Sequence, residues 1–267
     1  MSEKLSLAMH GAAGRMGRRV VAMIQEDPDC ELVSAIEHAD CPHLGTDAGT
    51  LAGLSPAGVE LSSSWPSHAS ALIDFSLPSA VEGVIASAAQ AGIPLVMATT
   101  GLEEAQKAML VEASKSLPIV FAPSMSPAVN VTMKLAQQVA SSLGSVPGGL
   151  DIEIIERHHR YKADAPSGTA LRFGELIAEK MDGEVKHLHG REGETGARTQ
   201  AEIGYHAVRV GDNPGEHTIV FGMLGERIEL NVAASNRDCY ATGAIVAAKW
   251  LTGKPAGLYN MFDVLEL

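Results

Sequence analysis

Through its first half the chain alternates short apolar runs with segments of helical period, a pattern that few folds accept. Residues 5–9 read as a strand, and Met16, Val20, Met23 and Ile24 then recur at helical spacing. Residues 32–37 form a second strand, and after a Gly- and Ser-rich stretch at 45–64 the pattern resumes with strand 71–75. Pro78 opens a helix whose Val81, Val84, Ile85 and Ala88 share one face, followed by strand 93–98, helix 103–116 and strand 119–122. Strands joined through helices run parallel, with the helices on the sheet faces. The fold class is therefore α/β, with an N-terminal Rossmann-type doubly wound parallel sheet.

The pattern changes around residues 123–127. A helix at 128–143 leads through a Gly/Pro turn to strand 152–156, and three further strands at 205–210, 218–223 and 228–233 are not separated by helical patterns. Such a run predicts a mixed or antiparallel sheet, hence a second domain of α+β type. A last helix, 239–251, ends the pattern and could return to either domain.

Composition narrows the function. The net charge of −12 and an aromatic content of 4% disfavour nucleic acid, and no apolar run reaches membrane-spanning length. The N-terminus runs straight into strand-like alternation without a signal-peptide core, so a cytoplasmic location is expected. Cys30, Cys41 and Cys239 are odd in number and widely spaced, which predicts neither a disulfide framework nor a metal site. An anionic substrate would require a concentrated local cluster of positive groups.

Directly after the first strand stands G-A-A-G-R-M-G, Gly11 to Gly17, leading into a helix. Glycines let backbone approach a pyrophosphate, which free N–H groups and the helix dipole then meet. The spacing is not the standard G-x-G-x-x-G, and the strand and helix on either side supply the context. Glu37 ends the second strand, where a carboxylate accepts from ribose hydroxyls. His38 follows where a 2′-phosphate would call for arginine, with Arg15, Arg18 and Arg19 nearby.

The positive cluster lies at His158, His159, Arg160 and Lys162, and Pro166-Ser167-Gly168-Thr169 then opens another helix. Hydroxyls and exposed N–H groups at a helix start form an anion site. The segment therefore offers two adjacent devices for carboxylates and a source of protons. Chemistry alone reaches a reductase of a small anionic molecule.

The segment E-I-I-E-R-H-H-R-Y-K-A-D-A-P-S-G-T-A, Glu153 to Ala170, resembles the signature of the dihydrodipicolinate reductase (4-hydroxy-tetrahydrodipicolinate reductase) family. The likeness extends to Ala98-Thr99-Thr100-Gly101, Ser126-Pro127-Ala128-Val129-Asn130, Arg191-Glu192-Gly193, Gly211-Asp212 and Gly215-Glu216-His217. The resemblance implies NAD(P)H-dependent reduction of a cyclic, unsaturated dicarboxylate on the route from aspartate to diaminopimelate and lysine. It implies a dinucleotide-binding domain of residues 1–126 plus 237–267, a substrate-binding and oligomerisation domain of 127–236, and a homotetramer built through the second domain's sheets. By position His158 would be the acid/base residue and Lys162 the proton donor, while His159, Gly168 and Thr169 would hold the substrate carboxylates. Cofactor contacts would come from Gly11, Ala12, Ala13, Gly14, Arg15, Met16, Glu37, Ala98, Thr99, Thr100, Ala122, Pro123, Ser124 and Met125. Ala98 replaces the family's usual glycine, Pro123-Ser124-Met125 replaces an Asn-containing turn, and His38 departs from the arginine of some members.

Neighbouring Lys162 and Arg160 are expected to lower the pKa of His158 in the free protein, with an arriving dicarboxylate raising it again. Two rival readings are another two-domain dehydrogenase and a dinucleotide sensor without turnover. The lack of a cysteine in a nucleophile's setting weighs against a semialdehyde dehydrogenase, and the His158/Lys162 pair weighs against the sensor. The Glu37-His38 pair predicts that NADH serves at least as well as NADPH. Comparing kcat/KM for the two cofactors tests this, and a strong NADPH preference would contradict it.

Overall fold

The computed structural model describes residues 4–267; the three residues ahead of them, part of the stretch read as lacking a signal peptide, lie outside the described residues. The first part of the chain forms β1 (Leu5–His10), α1 (Arg15–Glu26), β2 (Cys30–Ile36), α2 (Ala48–Leu51), β3 (Leu61–Ser62), β4 (Ala71–Asp74), α3 (Val81–Ala91), β5 (Leu95–Met97), α4 (Glu104–Ala113) and β6 (Pro118–Phe121). There follow α5 (Pro127–Leu143), β7 (Asp151–His158), α6 (Gly168–Ala178), β8 (Lys186–His189), β9 (Glu202–Arg209), β10 (Glu216–Met223) and β11 (Glu226–Ala233). The chain closes with α7 (Asp238–Leu251), β12 (Gly257–Tyr259) and α8 (Met261–Val264). Among the described residues no helix is long and apolar enough to cross a membrane.

The described residues divide into two compact units, one of residues 4–127 with 237–266 and one of residues 128–236 with 267. The first carries a seven-stranded parallel sheet of order β12-β6-β5-β4-β1-β2-β3. Alternate strand residues point to opposite faces, so Leu7, Met9, Ile73 and Val96 pack with α1 and α7 on one side. Ala8, Leu72, Leu95 and Ile119 pack with α3 and α4 on the other. The strand order reverses between β1 and β4, the position at which open α/β sheets bind ligands beyond their strand ends.

The second unit has a mixed five-stranded sheet, β11-β10-β7-β9-β8, in which β7, β9 and β8 are parallel and β10 and β11 antiparallel. On β7, Ile152, Ile154, Glu156 and His158 are buried, while Glu153, Ile155 and Arg157 lie on the partly exposed face. On that second face Gly204 leaves room for Glu153, whose carboxylate gathers Arg191, Arg198 and His206. Burial opposes its ionisation, but those three hydrogen bonds hold Glu153 down at about 2.

The structure adds elements that periodicity did not predict. Within 45–64, Asp47 caps α2 by accepting from Thr50 N at 2.9 Å and also binds Ala57 N and Gly58 N, an arrangement of turns that carries no period. Past α7 the chain does not end its pattern: β12 adds an edge strand beside β6. Gly243 of α7 passes so close to the loop after β6 that a Cβ there would lie 1.7 Å from the Met125 carbonyl oxygen. Gly243→Ala is therefore expected to cost about 1–3 kcal/mol through overpacking, read as a lower urea midpoint.

Candidate functional site

In the first unit the glycine loop is held to the sheet by Gly11 N and Ala12 N, both of which donate to the Ile36 carbonyl at 3.0 and 3.2 Å. Gly11 has φ of +78°, and a Cβ there would meet the Phe75 carbonyl oxygen at 2.7 Å. A Cβ on Gly17 would lie 2.0 Å from the Gly11 carbonyl oxygen, so the helix start and the loop can be this close only without side chains. Gly14 is the N-cap of α1 and offers no side-chain cap, and no acidic residue stands in the first turn. The first N–H groups of the helix thus keep their capacity for an anion, and the cradle fits a dinucleotide pyrophosphate.

Glu37 accepts from Ala13 N at 2.9 Å, which fixes one carboxylate oxygen beside the loop. His38 is exposed, and its Nδ1 accepts the Asp40 N–H at 3.2 Å, leaving Nε2 as the ring's other polar atom. Arg15 is exposed, whereas Arg18 donates to the Ala13 carbonyl and Arg19 pairs with Asp238. Along the same sheet edge Asp74 is fully buried and joins His10 Nδ1 at 2.6 Å and the Thr99 hydroxyl at 2.5 Å. Ala98 N donates to the Asp74 carbonyl at 2.9 Å, so Ala98 and Thr99 are both anchored at the end of β5, and Thr100 is exposed beyond them. Ala122, Ser124 and Met125 are buried after β6, with Pro123 exposed.

In the second unit the strand period carries His158 to the buried side of β7, where its Nδ1 lies 2.6 Å from Glu156 Oε2. Arg209, from the adjacent β9, donates to both Glu156 oxygens at 2.7 and 2.8 Å, and Ser167 N donates at 3.0 Å. One carboxylate therefore ties the histidine to the N-terminus of α6. Ser167 caps that helix by accepting from Ala170 N at 3.1 Å and sits 3.0 Å from His217 Nε2. The His217 ring meets His158 edge to face at a centroid distance of 5.3 Å.

Burial pushes the pKa of His158 down, the Glu156 carboxylate opposes this, and the Lys162 and Arg209 charges add to the lowering. The cation expected beside Lys162 was Arg160, but Arg160 is exposed and Arg209 stands in its place. Glu156 titrates below its usual range despite burial, because Arg209, His158 and Ser167 hydrogen-bond its charged form. Burial, with the positive fields of His158 and Lys162, takes His217 down to about 4. Lys162 reaches Asp164 at 2.9 Å and is partly exposed. The Nδ1 of His159 is buried without a hydrogen-bond partner. Gly168 and Thr169 open α6, and a Cβ on Gly168 would meet nothing within 4 Å, so the approach to their N–H groups is clear. Glu156, Arg209 and His217 were not singled out as site residues from sequence, whereas Ser167 was read as part of the anion-binding helix start; a buried-face position two residues before His158 was the signal available for Glu156.

A glycine cradle on a switched parallel sheet, in a chain whose second unit holds a histidine and lysine beside an open helix N-terminus, defines a nicotinamide-dependent oxidoreductase. Family models for the N-terminus and C-terminus of dihydrodipicolinate reductase match residues 5–125 and 128–265. The chain belongs to that family. It is 63% identical over 270 residues to a 4-hydroxy-tetrahydrodipicolinate reductase of Rhodopirellula baltica, covering 98% of this chain and 96% of the relative. It is 45% identical to the reductase of Alkalilimnicola ehrlichii, covering 98% of each. Among solved structures, a dipicolinate-bound dihydrodipicolinate reductase from Paenisporosarcina sp. TG-14 superposes with a TM-score of 0.75 at 25% identity, covering 97% of this chain and 98% of that one.

The depressed histidines carry a stability consequence. A group whose folded pKa lies below its unfolded value binds more protons when unfolded, so stability falls as pH drops from the unfolded value to the folded one. For His217 that window runs from 6.5 to about 4. The low-lying carboxylates Glu153 and Glu156 lose their contribution only below their ordinary value of 4.5. Denaturation midpoints should therefore fall between pH 6.5 and 4.5 in the wild type, and His217→Gln should flatten that segment; an equal slope in both would refute the assignment.

Proposed function

We propose that this chain reduces 4-hydroxy-tetrahydrodipicolinate to tetrahydrodipicolinate with NADH or NADPH, in diaminopimelate and lysine biosynthesis. The observation that carries the reading is the Glu156 carboxylate, which bonds His158 and the start of α6 at once and so fixes a proton-exchanging ring beside an anion-binding helix end. The Paenisporosarcina relative binds dipicolinate, a planar ring with two carboxylates, which supports a cyclic dicarboxylate as the substrate. Gly168 N and Thr169 N at the open start of α6, with the His159 ring, hold the substrate carboxylates. His158 exchanges a proton and Lys162 delivers one to the atom that gathers negative charge.

When bound, the nicotinamide supplies a hydride to the substrate ring. Over the whole reaction one hydride and one proton enter and one water leaves. The residues from Gly11 to Met16 would hold the pyrophosphate, Glu37 would accept from the adenosine ribose, and Ala98, Thr99, Thr100 and the residues from Ala122 to Met125 would hold the nicotinamide half. The chain self-associates, with a homotetramer formed through the second unit's sheet, which sedimentation equilibrium tests.

A steady-state assay of nicotinamide absorbance with the cyclic dicarboxylate separates a reductase from a sensor, which would bind cofactor without turnover. His158→Ala and Lys162→Ala should each lower kcat by about a hundredfold or more and leave cofactor affinity unchanged. Gly11→Ala should do the reverse, abolishing cofactor binding while the second unit keeps its fold. Loss of cofactor binding in the His158 or Lys162 variant would place those residues in the wrong site.

A further inference from the structure

An acid/base histidine works only when the nitrogen facing its reaction partner has the right proton occupancy, and the group bonded to the other nitrogen sets that occupancy. Behind His158 the Glu156 carboxylate is completely buried and is met by four donors: His158 Nδ1, two Arg209 nitrogens and Ser167 N. Arg209 is fixed in turn by the carbonyls of Val208 and Asp164, to which it donates at 2.8 and 2.6 Å. An ionised carboxylate only accepts, so its partner nitrogen on the ring must carry a hydrogen. The other edge of the ring faces Gly215. This glycine has φ of +151°, and a Cβ there would stand 2.9 Å from His158 Nε2.

We propose that Arg209 and Glu156 are positioning residues that hold His158 as its Nδ1–H tautomer, so that Nε2 is the atom at which the proton is exchanged, and that Gly215 keeps this atom clear. The proposal rests on the reading of His158 as the acid/base residue. In the exchange Nε2 binds a proton and releases it to substrate, while the Nδ1–H bond to Glu156 stays intact throughout. The groups facing the ring are Glu156 on its own strand, Arg209 on β9, His217 on β10, and Lys162 with its partner Asp164 in the following loop. Glu156 favours the charged ring, whereas Lys162 and Arg209 oppose it.

The test uses the full chain labelled with 15N-histidine, with His158 signals assigned by their loss in His158→Asn. Long-range proton–nitrogen spectra above pH 7.5 are expected to show a protonated Nδ1 and a bare Nε2; the opposite tautomer would overturn the proposal. In the same spectra the titration midpoint of His158 should fall in Glu156→Gln and rise in Arg209→Met, each by about one pH unit. Movement of both in the same direction, or of neither, would also overturn it, and if either variant fails to fold the wild-type tautomer decides. None of these readouts needs turnover. A missing reductase activity with the Nδ1–H tautomer intact would thus reject the substrate assignment and keep the clamp.

Discussion

The second unit is organised around one buried negative charge. Taking a carboxylate out of water costs several kcal/mol, on the order of what a whole domain has in hand, unless its oxygens are fully bonded. Glu156 meets that condition with donors drawn from β7, β9 and the start of α6, so the charge dictates how those three pieces meet. The strand period that buries Ile152 and Ile154 turns Glu156 and His158 inward as well. Packing and chemistry are consequences of the same alternation.

A second buried carboxylate does comparable work in the first unit. Asp74 ends β4 and ties His10 at the end of β1 to Thr99 beyond β5, across three neighbouring parallel strands. The residues it joins flank the glycine loop on one side and the expected nicotinamide border on the other. In both units an acid near a strand end ties together segments that would otherwise diverge into loops.

The sequence made the first unit legible because alternation of strand and helix is a local signal, and Gly11, Gly14 and Gly17 announce a close backbone approach in the right context. The histidine pair and Lys162 were legible as chemistry because an acidic chain has to concentrate positive charge somewhere. Arg209 was not. It stands 53 positions from Glu156, and their meeting depends on the pairing of β7 with β9, which no local pattern encodes. Proximity in sequence pointed to Arg160 instead, and that side chain faces solvent. The polar edge strand β8, with its K-H-L-H, and the three residues of β12 were too short or too hydrophilic to show a period.

The return of α7, β12 and α8 to the first unit sets an order on synthesis. Ala241, Ala244, Ala247, Ala248, Leu251 and Met261 belong to the same apolar cluster as Leu7 and Val20, and β12 completes the sheet edge beside β6. A chain emerging from its N-terminus has made all of β1 to β6 before these residues exist, and all of the second unit lies between. Residues 128–236 can close around their own sheet as they emerge, whereas the nucleotide unit has to wait with one flank of its core uncovered. Residues 238–264 thus seal a core begun by β1, and a product truncated just after residue 236 would carry a complete second unit joined to an incomplete first one.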